Sequence, residues 1–143
     1  MEIKLLPIDA DPLPSWQVGE HLLLEALLEG RWVGRSYTLT GGDESHYSLG
    51  VKREPGGVLS NWLATAELDA LVRIGPPQGK LLPKPNDPRP LVYLVAGIGV
   101  TPAIAGVRRL RHHRPLTVGY CYRGEASAAY LSELRDAAAA GEL

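Results

Sequence analysis

Four consecutive residues, Arg35-Ser36-Tyr37-Thr38, combine side chains that a phosphorylated ring compound needs. The arginine offers a forked cation to phosphate and the tyrosine a flat face to a ring. A threonine hydroxyl or amide can hydrogen-bond a ring nitrogen, as in a flavin nucleotide. Strand period puts Arg35 and Tyr37 on one face and Thr38 on the other, so a shared ligand requires a bend or the backbone of Thr38. Alone, the segment reads more simply as a strand with an exposed arginine. A second segment is Gly56-Gly57-Val58-Leu59-Ser60. Glycines ahead of a helix start let a phosphate approach bare N–H groups at the positive end of the helix dipole. A plain turn with Ser60 as helix cap is the simpler reading of this piece. The third is Ala96-Gly97-Ile98-Gly99-Val100-Thr101-Pro102. It follows an apolar run and opens a helix, with Thr101 able to cap and Pro102 suited to the first helical turn. That is the context of a dinucleotide site, although Pro102 stands where a third glycine would complete the fingerprint. A ligand-free βα turn reads equally well.

The elements that must position these segments fall into two patterns. In the first, His21 to Leu28, Arg35 to Thr40, Tyr47 to Val51 and Leu71 to Ile74 read as short strands, with a turn at Gly41-Gly42-Asp43 and a short helix after Ser60. They suggest a small antiparallel β-barrel. Residues 76–90 then hold six of the twelve prolines and can be neither helix nor central strand. Beyond them, Leu91 to Ala96 reads as a strand buried on both faces and Ala103 to Arg111 as a helix with Ile104, Val107 and Leu110 inward. Leu116 to Tyr122 is a second strand, and Ser127 to Ala140 a second helix packed through Tyr130, Leu131 and Leu134. The fold class is therefore β plus α/β: a barrel over residues 1–86, then an incomplete parallel β-α-β-α unit over 87–143.

Composition narrows the function classes. Sixteen glycines and twelve prolines among 143 residues argue against a helical bundle. Fifteen basic against sixteen acidic residues remove the electrostatic footprint of a nucleic-acid binder. One cysteine, Cys121, excludes an internal disulfide framework and a cysteine-built metal site, and Cys121 reads as a small buried residue. The uncharged run Leu91 to Val107 is broken by glycines and Pro102, so no membrane span is expected. No signal peptide is recognised, and a cytoplasmic location is expected.

The order and spacing of the three segments are jointly specific, and with them the chain resembles the ferredoxin–NADP reductase-like flavin oxidoreductases. That family carries an Arg-x-Tyr-Ser/Thr strand, a Gly-x-x-Ser helix start and a Gly-x-Gly-x-Thr-Pro turn. Further likeness lies in Gln17 to His21, in Val51-Lys52-Arg53 ahead of Gly57 to Leu63, in Gly75 to Gly79, and in Tyr120 to Arg123. The resemblance implies FAD and NAD(P)H as cofactors. Arg35, with Ser36 beside it, would meet the pyrophosphate. Tyr37 would pack on the isoalloxazine or contact the ribityl chain, and Thr38 would sit near N5. Val51 and Lys52 would lie by the ribityl or phosphate region, and Gly57, Val58, Leu59 and Ser60 would hold the pyrophosphate. Gly97, Gly99, Thr101 and Pro102 would face the nicotinamide cofactor, with Thr38, Tyr37 and Thr101 nearest the reacting atoms. Arg123 would reach an adenosine phosphate. No metal site is implied.

The same resemblance exposes departures. The family's nucleotide domain has about five parallel strands, and this chain supplies two. A later Cys-Gly-Pro segment is absent, and the first barrel strand is shortened or lost. The expected function is a flavin-dependent reductase module that takes a hydride from NAD(P)H and serves an iron–sulfur or haem partner. Turnover by this chain alone is expected to be poor, the remaining nucleotide domain being missing or supplied elsewhere. A non-catalytic flavin- or nucleotide-binding module and a degenerate fragment are the alternatives. The basic cluster Arg108, Arg109, Arg111, His112, His113 and Arg114 reads as a solvated helix end, with a cofactor 2′-phosphate or an acidic redox partner as the functional alternative.

Overall fold

The computed structural model describes residues 1–9, 11–84 and 87–143; Ala10, and Pro85 and Asn86 within the proline-rich connection, lie outside the described residues. Strands β1 (Glu2–Leu5), β2 (His21–Leu28), β3 (Arg31–Asp43), β4 (His46–Gly50) and β5 (Arg73–Ile74) form one sheet in the order β1-β4-β3-β2-β5. Every neighbouring pair is antiparallel. Alternation along the strands drives one face inward. Leu22, Leu24 and Ala26 of β2, Tyr47 and Leu49 of β4, and Val51 just beyond are fully buried. With Leu39, Leu59, Trp16 and Val18 they build the first core. The sheet wraps this core in barrel-like fashion, and among the described residues no pairing joins β1 to β5. The first strand, expected to be shortened or lost, is present as β1, four residues long.

Two local expectations change. The hairpin turn falls at Glu44-Ser45, and Gly41, Gly42 and Asp43 belong to β3. Its pairing with β4 slips between Leu39 and Gly41, a bulge that buries the successive residues Leu39 and Thr40. Gly42 has a φ of 104°, and a Cβ there would strike the backbone of His46 and Tyr47. The glycine pair therefore serves a bent strand. In the second case, helix α1 (Val58–Leu63) is capped by Gly57, and Ser60 sits inside its first turn. Leu71 and Val72 lie outside β5, which is two residues long.

In the second unit β6 (Leu91–Ala96) runs parallel to β7 (Leu116–Cys121). A 3-10 turn over Gly97–Val100 leads directly into α2 (Thr101–Leu110), so the helix begins two residues before Ala103. The last helix is split: a 3-10 turn spans Glu125–Ser127, Tyr130 takes a left-handed φ of 59°, and α3 follows over Leu131–Ala139. The second core joins Val100, Ile104 and Val107 to Leu116, Leu134 and Ala137. Because α2 and α3 cover the same side of the strands, the opposite face is bare. Val92 is 56% and Leu94 84% exposed, so β6 is buried on one face only. Cys121 is exposed as well, contrary to the expectation from its strand context. Helix α2 faces both ways: Ala105 belongs to the first core, and Leu110 packs against both.

Candidate functional site

A cavity of about 460 Å³ opens between the two units. Its first wall is β3, which contributes Arg35, Ser36, Tyr37 and Thr38 from consecutive positions. Strand alternation divides their side chains between two faces, and their pairing with β2 is regular through Thr38, the register shift coming only between Leu39 and Gly41. Tyr37 is half-buried and leans on the first core. Burial pushes its phenol up, with the Arg35 cation opposing. The ring is thus neutral, with a flat face available to an aromatic ligand. Arg35 is exposed and donates from Nη1 to the neighbouring Gly34 carbonyl at 2.7 Å. That anchors one arm of the fork and leaves its other N–H groups for an anion.

The second wall is the turn into α1. The Gly57 amide donates to the Glu54 carbonyl at 2.9 Å, closing a four-residue turn. Pro55 sits second in it and Gly56, at φ 73°, third, which is the arrangement of a type II turn. Ser60 does not cap the helix. Its Oγ accepts from the Glu54 amide at 3.2 Å, tying the helix back to the turn. A Cβ on Gly57 would lie 2.5 Å from that oxygen. Asn61 completes the staple, donating from Nδ2 to the carbonyls of Glu54 and Gly57 while accepting from Arg53 Nε. The first helical backbone bond runs from Asn61 N–H to Gly57 O. The amides of Val58, Leu59 and Ser60 therefore have no backbone acceptor among the described residues. Lys52 lies past the end of β4 and pairs with Glu54 Oε1 at 2.6 Å.

The third wall comes from the second unit: Ile98, Gly99, Thr101 and Pro102. Tyr120 donates to the Gly97 carbonyl at 3.0 Å and fixes the turn's entry, where Gly97 takes a φ of 51°. Nothing stands within 4 Å of a Cβ built on Gly99. Thr101 does not cap α2, whose cap position is Val100. Its hydroxyl donates instead to the Ile98 carbonyl at 3.1 Å, leaving lone pairs as acceptors. Opposite, a Cβ on Gly50 would lie 2.6 Å from Thr101 Cγ2 and 2.7 Å from the Tyr130 hydroxyl. Only a glycine lets α2 approach β4 this closely.

Twelve of the fifteen residues singled out from the sequence line this one cavity. Three do not. Val51 is fully buried in the first core, and its amide and carbonyl are both engaged by Met1. Gly97 opens the 3-10 turn without lining the cavity, and Arg123 is exposed beyond β7. Gly50, Glu54 and Ile98 line the cavity without having been anticipated. The signal for Gly50 was a glycine at an otherwise polar position of the Tyr47-Leu49-Val51 alternation. Arg108 and Arg109, read as a solvated helix end, instead reach across to the first unit. Arg109 donates to the carbonyls of Trp16 and Gly42 and stacks 3.7 Å over the Trp16 ring.

The donor set fits a dinucleotide bearing a flat ring. A forked cation and three consecutive free amides suit a pyrophosphate, while a neutral tyrosine face suits a ring system. Comparison with known proteins agrees. Residues 9–82 match the family model of the oxidoreductase FAD-binding domain. A flavohemoprotein of Pseudomonas aeruginosa is 35% identical over 96% of this chain and 36% of its own length. Among solved structures, the flavohemoglobin of Malassezia yamatoensis with bound FAD and heme superposes with a TM-score of 0.86. It shares 28% identity and is covered over 38% of its length by 99% of this chain. Phthalate dioxygenase reductase, described as a modular structure for electron transfer from pyridine nucleotides to [2Fe-2S], has a TM-score of 0.77 and 27% identity. The match takes in 93% of this chain and 42% of that one. The chain spans roughly a third of the length of the curated relatives it matches. With the FAD-binding model covering half of it and the fold shared from end to end, the chain belongs to the ferredoxin–NADP reductase-like flavin oxidoreductases.

Proposed function

We propose that this chain holds FAD as part of a reductase that accepts a hydride from NAD(P)H and delivers electrons to a haem or iron–sulfur partner. The observation that carries the reading is the single cavity in which Arg35 to Thr38, the amides of Val58 to Ser60, and Gly99 to Pro102 converge from three elements. FAD would supply the exchange between two-electron and one-electron chemistry. The chain's own residues bind and orient. Arg35 pairs with phosphate oxygens, and the α1 amides donate to them. Tyr37 covers a ring face and keeps water from it. Thr38 offers a hydrogen bond to a ring nitrogen, and Thr101 offers an acceptor to a nicotinamide carboxamide. A haem or iron–sulfur partner is supported by what the flavohemoglobin and phthalate dioxygenase reductase are described as carrying. The reading includes a barrel unit over residues 1–86, a nucleotide unit over 87–143, and a cytoplasmic location. No helix among the described residues is long and apolar enough to cross a membrane.

The test is colour. Purified protein, or protein mixed with FAD, turns yellow with flavin absorbance that bleaches on anaerobic NADH or NADPH. Protein that takes up no FAD overturns the reading. Yellow protein that NADH and NADPH leave unbleached would assign the chain to a binding role only, a second reading that the bare face of β6 and β7 favours. Hydride transfer needs ångström-scale placement, and β6 and β7 have one exposed face, so bleaching by this chain alone should be about 100-fold slower than in a reductase whose nucleotide sheet is covered on both faces.

A further inference from the structure

The strongest cluster outside the cavity is centred on Arg108, a half-buried residue in the last turn of α2. Its Nη1 donates to Glu2 Oε1 at 2.6 Å and to the Thr40 carbonyl at 3.2 Å. Its Nε and Nη2 grip Glu133 at 2.7 and 2.8 Å. Its guanidinium also lies 5.3 Å from the centre of the Tyr130 ring. Glu2 accepts a further hydrogen bond, 3.0 Å long, from the Thr40 hydroxyl, which is fully buried. One arm of Arg108 thus stays within the second unit, on α3, and the other crosses to β1 and β3.

What crosses with it is the third wall of the cavity. Thr101 starts the same helix, two turns before Arg108, and rests its methyl on the Gly50 position of β4. A rigid helix pinned at Arg108 and seated at Gly50 has no freedom to slide along the sheet. We infer that Arg108 is a positioning residue: it sets how closely the Gly99–Thr101 turn faces Tyr37 and Thr38, and acts on the nicotinamide step without touching either cofactor. The assignment rests on the cavity being the cofactor site, but the pin itself is tested without any cofactor.

The experiment measures a distance between the units. One spin label goes on the exposed Cys121 of β7 and a second on β2 after Leu27→Cys. The native pair gives one narrow distance by pulsed electron resonance. Arg108→Met broadens it, with circular dichroism retained and FAD affinity changed by less than about threefold. Should Arg108→Met fail to fold, Glu2→Gln takes the charge from the crossing contact while the Thr40 carbonyl still accepts from Nη1, and gives a smaller broadening, whereas Glu133→Gln leaves the distance narrow. Arg108→Lys recovers part of the narrow distribution. An unchanged distance in both Arg108→Met and Glu2→Gln overturns the pin. Equal loss of FAD affinity and of fold in Arg108→Met overturns the positioning role. Failure of the native protein to bind FAD would sink the cofactor reading and leave the distance result standing.

Discussion

At the scale of single residues, the cavity rests on side chains that each do one identifiable thing. Arg35 gives one N–H to the neighbouring Gly34 carbonyl, and its other guanidinium N–H groups have no partner among the described residues. A charged hydrogen bond to phosphate contributes about 1.5–3 kcal/mol. Arg35→Ala should therefore weaken FAD binding by about 10- to 100-fold with little effect on the melting temperature, measured by fluorescence titration and thermal scan. Gly57→Ala should act through packing. Its Cβ would meet Ser60 Oγ at 2.5 Å, so the turn must open, at a cost of about 1–3 kcal/mol read from urea unfolding. Glu2 gives a pH signature. Burial pushes its carboxyl up, but the Arg108 guanidinium and the Thr40 hydroxyl outweigh that and hold it below its ordinary value. A depressed carboxyl contributes stability that is complete above its unfolded pKa and lost as pH falls through the folded one. The acid limb of the stability profile should be shallower in Glu2→Gln than in the native protein. Identical limbs would remove Glu2 from the account. At this scale most of the cavity was legible, because phosphate and ring chemistry draw on few residue types. Val51 misled, since its neighbour Lys52 reaches the cavity while its own side chain completes the core alternation of Tyr47 and Leu49.

Elements show where sequence pattern loses its grip. The run Leu91 to Ala96 and the glycine turn after it were legible, because an apolar strand, glycines and a proline-bearing helix start each obey local rules. Gly41-Gly42 were not. A glycine pair signals any conformation denied to other residues, and a bulge uses that freedom as readily as a turn. Here Arg108 Nη1 lies 3.3 Å from where a Gly41 Cβ would be, a contact from 67 residues later that no local pattern contains. The split before α3 was hidden for a similar reason. Tyr130 holds a left-handed backbone because its ring lies under Arg108 and against Gly50, and both are tertiary contacts. The prediction proper to this scale concerns α2. Ala105 is fully buried between the helix and the first core. Ala105→Leu should cost about 1–3 kcal/mol in urea unfolding and lower the melting point by a few degrees. It should also lift the helix from the sheet and broaden the Cys121–Leu27 distance, whereas a larger residue at exposed Ser132 should do neither.

For the whole molecule, the balance of covered and bare surface decides behaviour in solution. The first unit closes most of its core, whereas β6 and β7 present Val92, Leu94 and Cys121 on one uncovered side. Parallel strands of this kind are normally covered on both faces. The free chain should therefore bind a hydrophobic dye and self-associate with rising concentration. Leu94→Lys should reduce both without changing FAD affinity, by dye fluorescence and sedimentation; unchanged association would place the sticky surface elsewhere. That bare face could not be read from the sequence, because Leu91 to Ala96 is apolar whether or not anything lies against it.

The crossing arm of Arg108 also has a consequence in time. It joins residues 106 positions apart, whereas β3 meets β4 across a turn of two residues and the α1 turn closes within four. Closing a long loop costs more chain entropy than closing a short one, and contacts of large separation form late. The half of the cavity that would hold the flavin is thus built from local contacts and assembles first. The half facing the nicotinamide docks last and opens first. In native-state hydrogen exchange, the amides of α2 should lose protection before those of β2 and β3, through an opening that leaves the β2–β3 pairing intact.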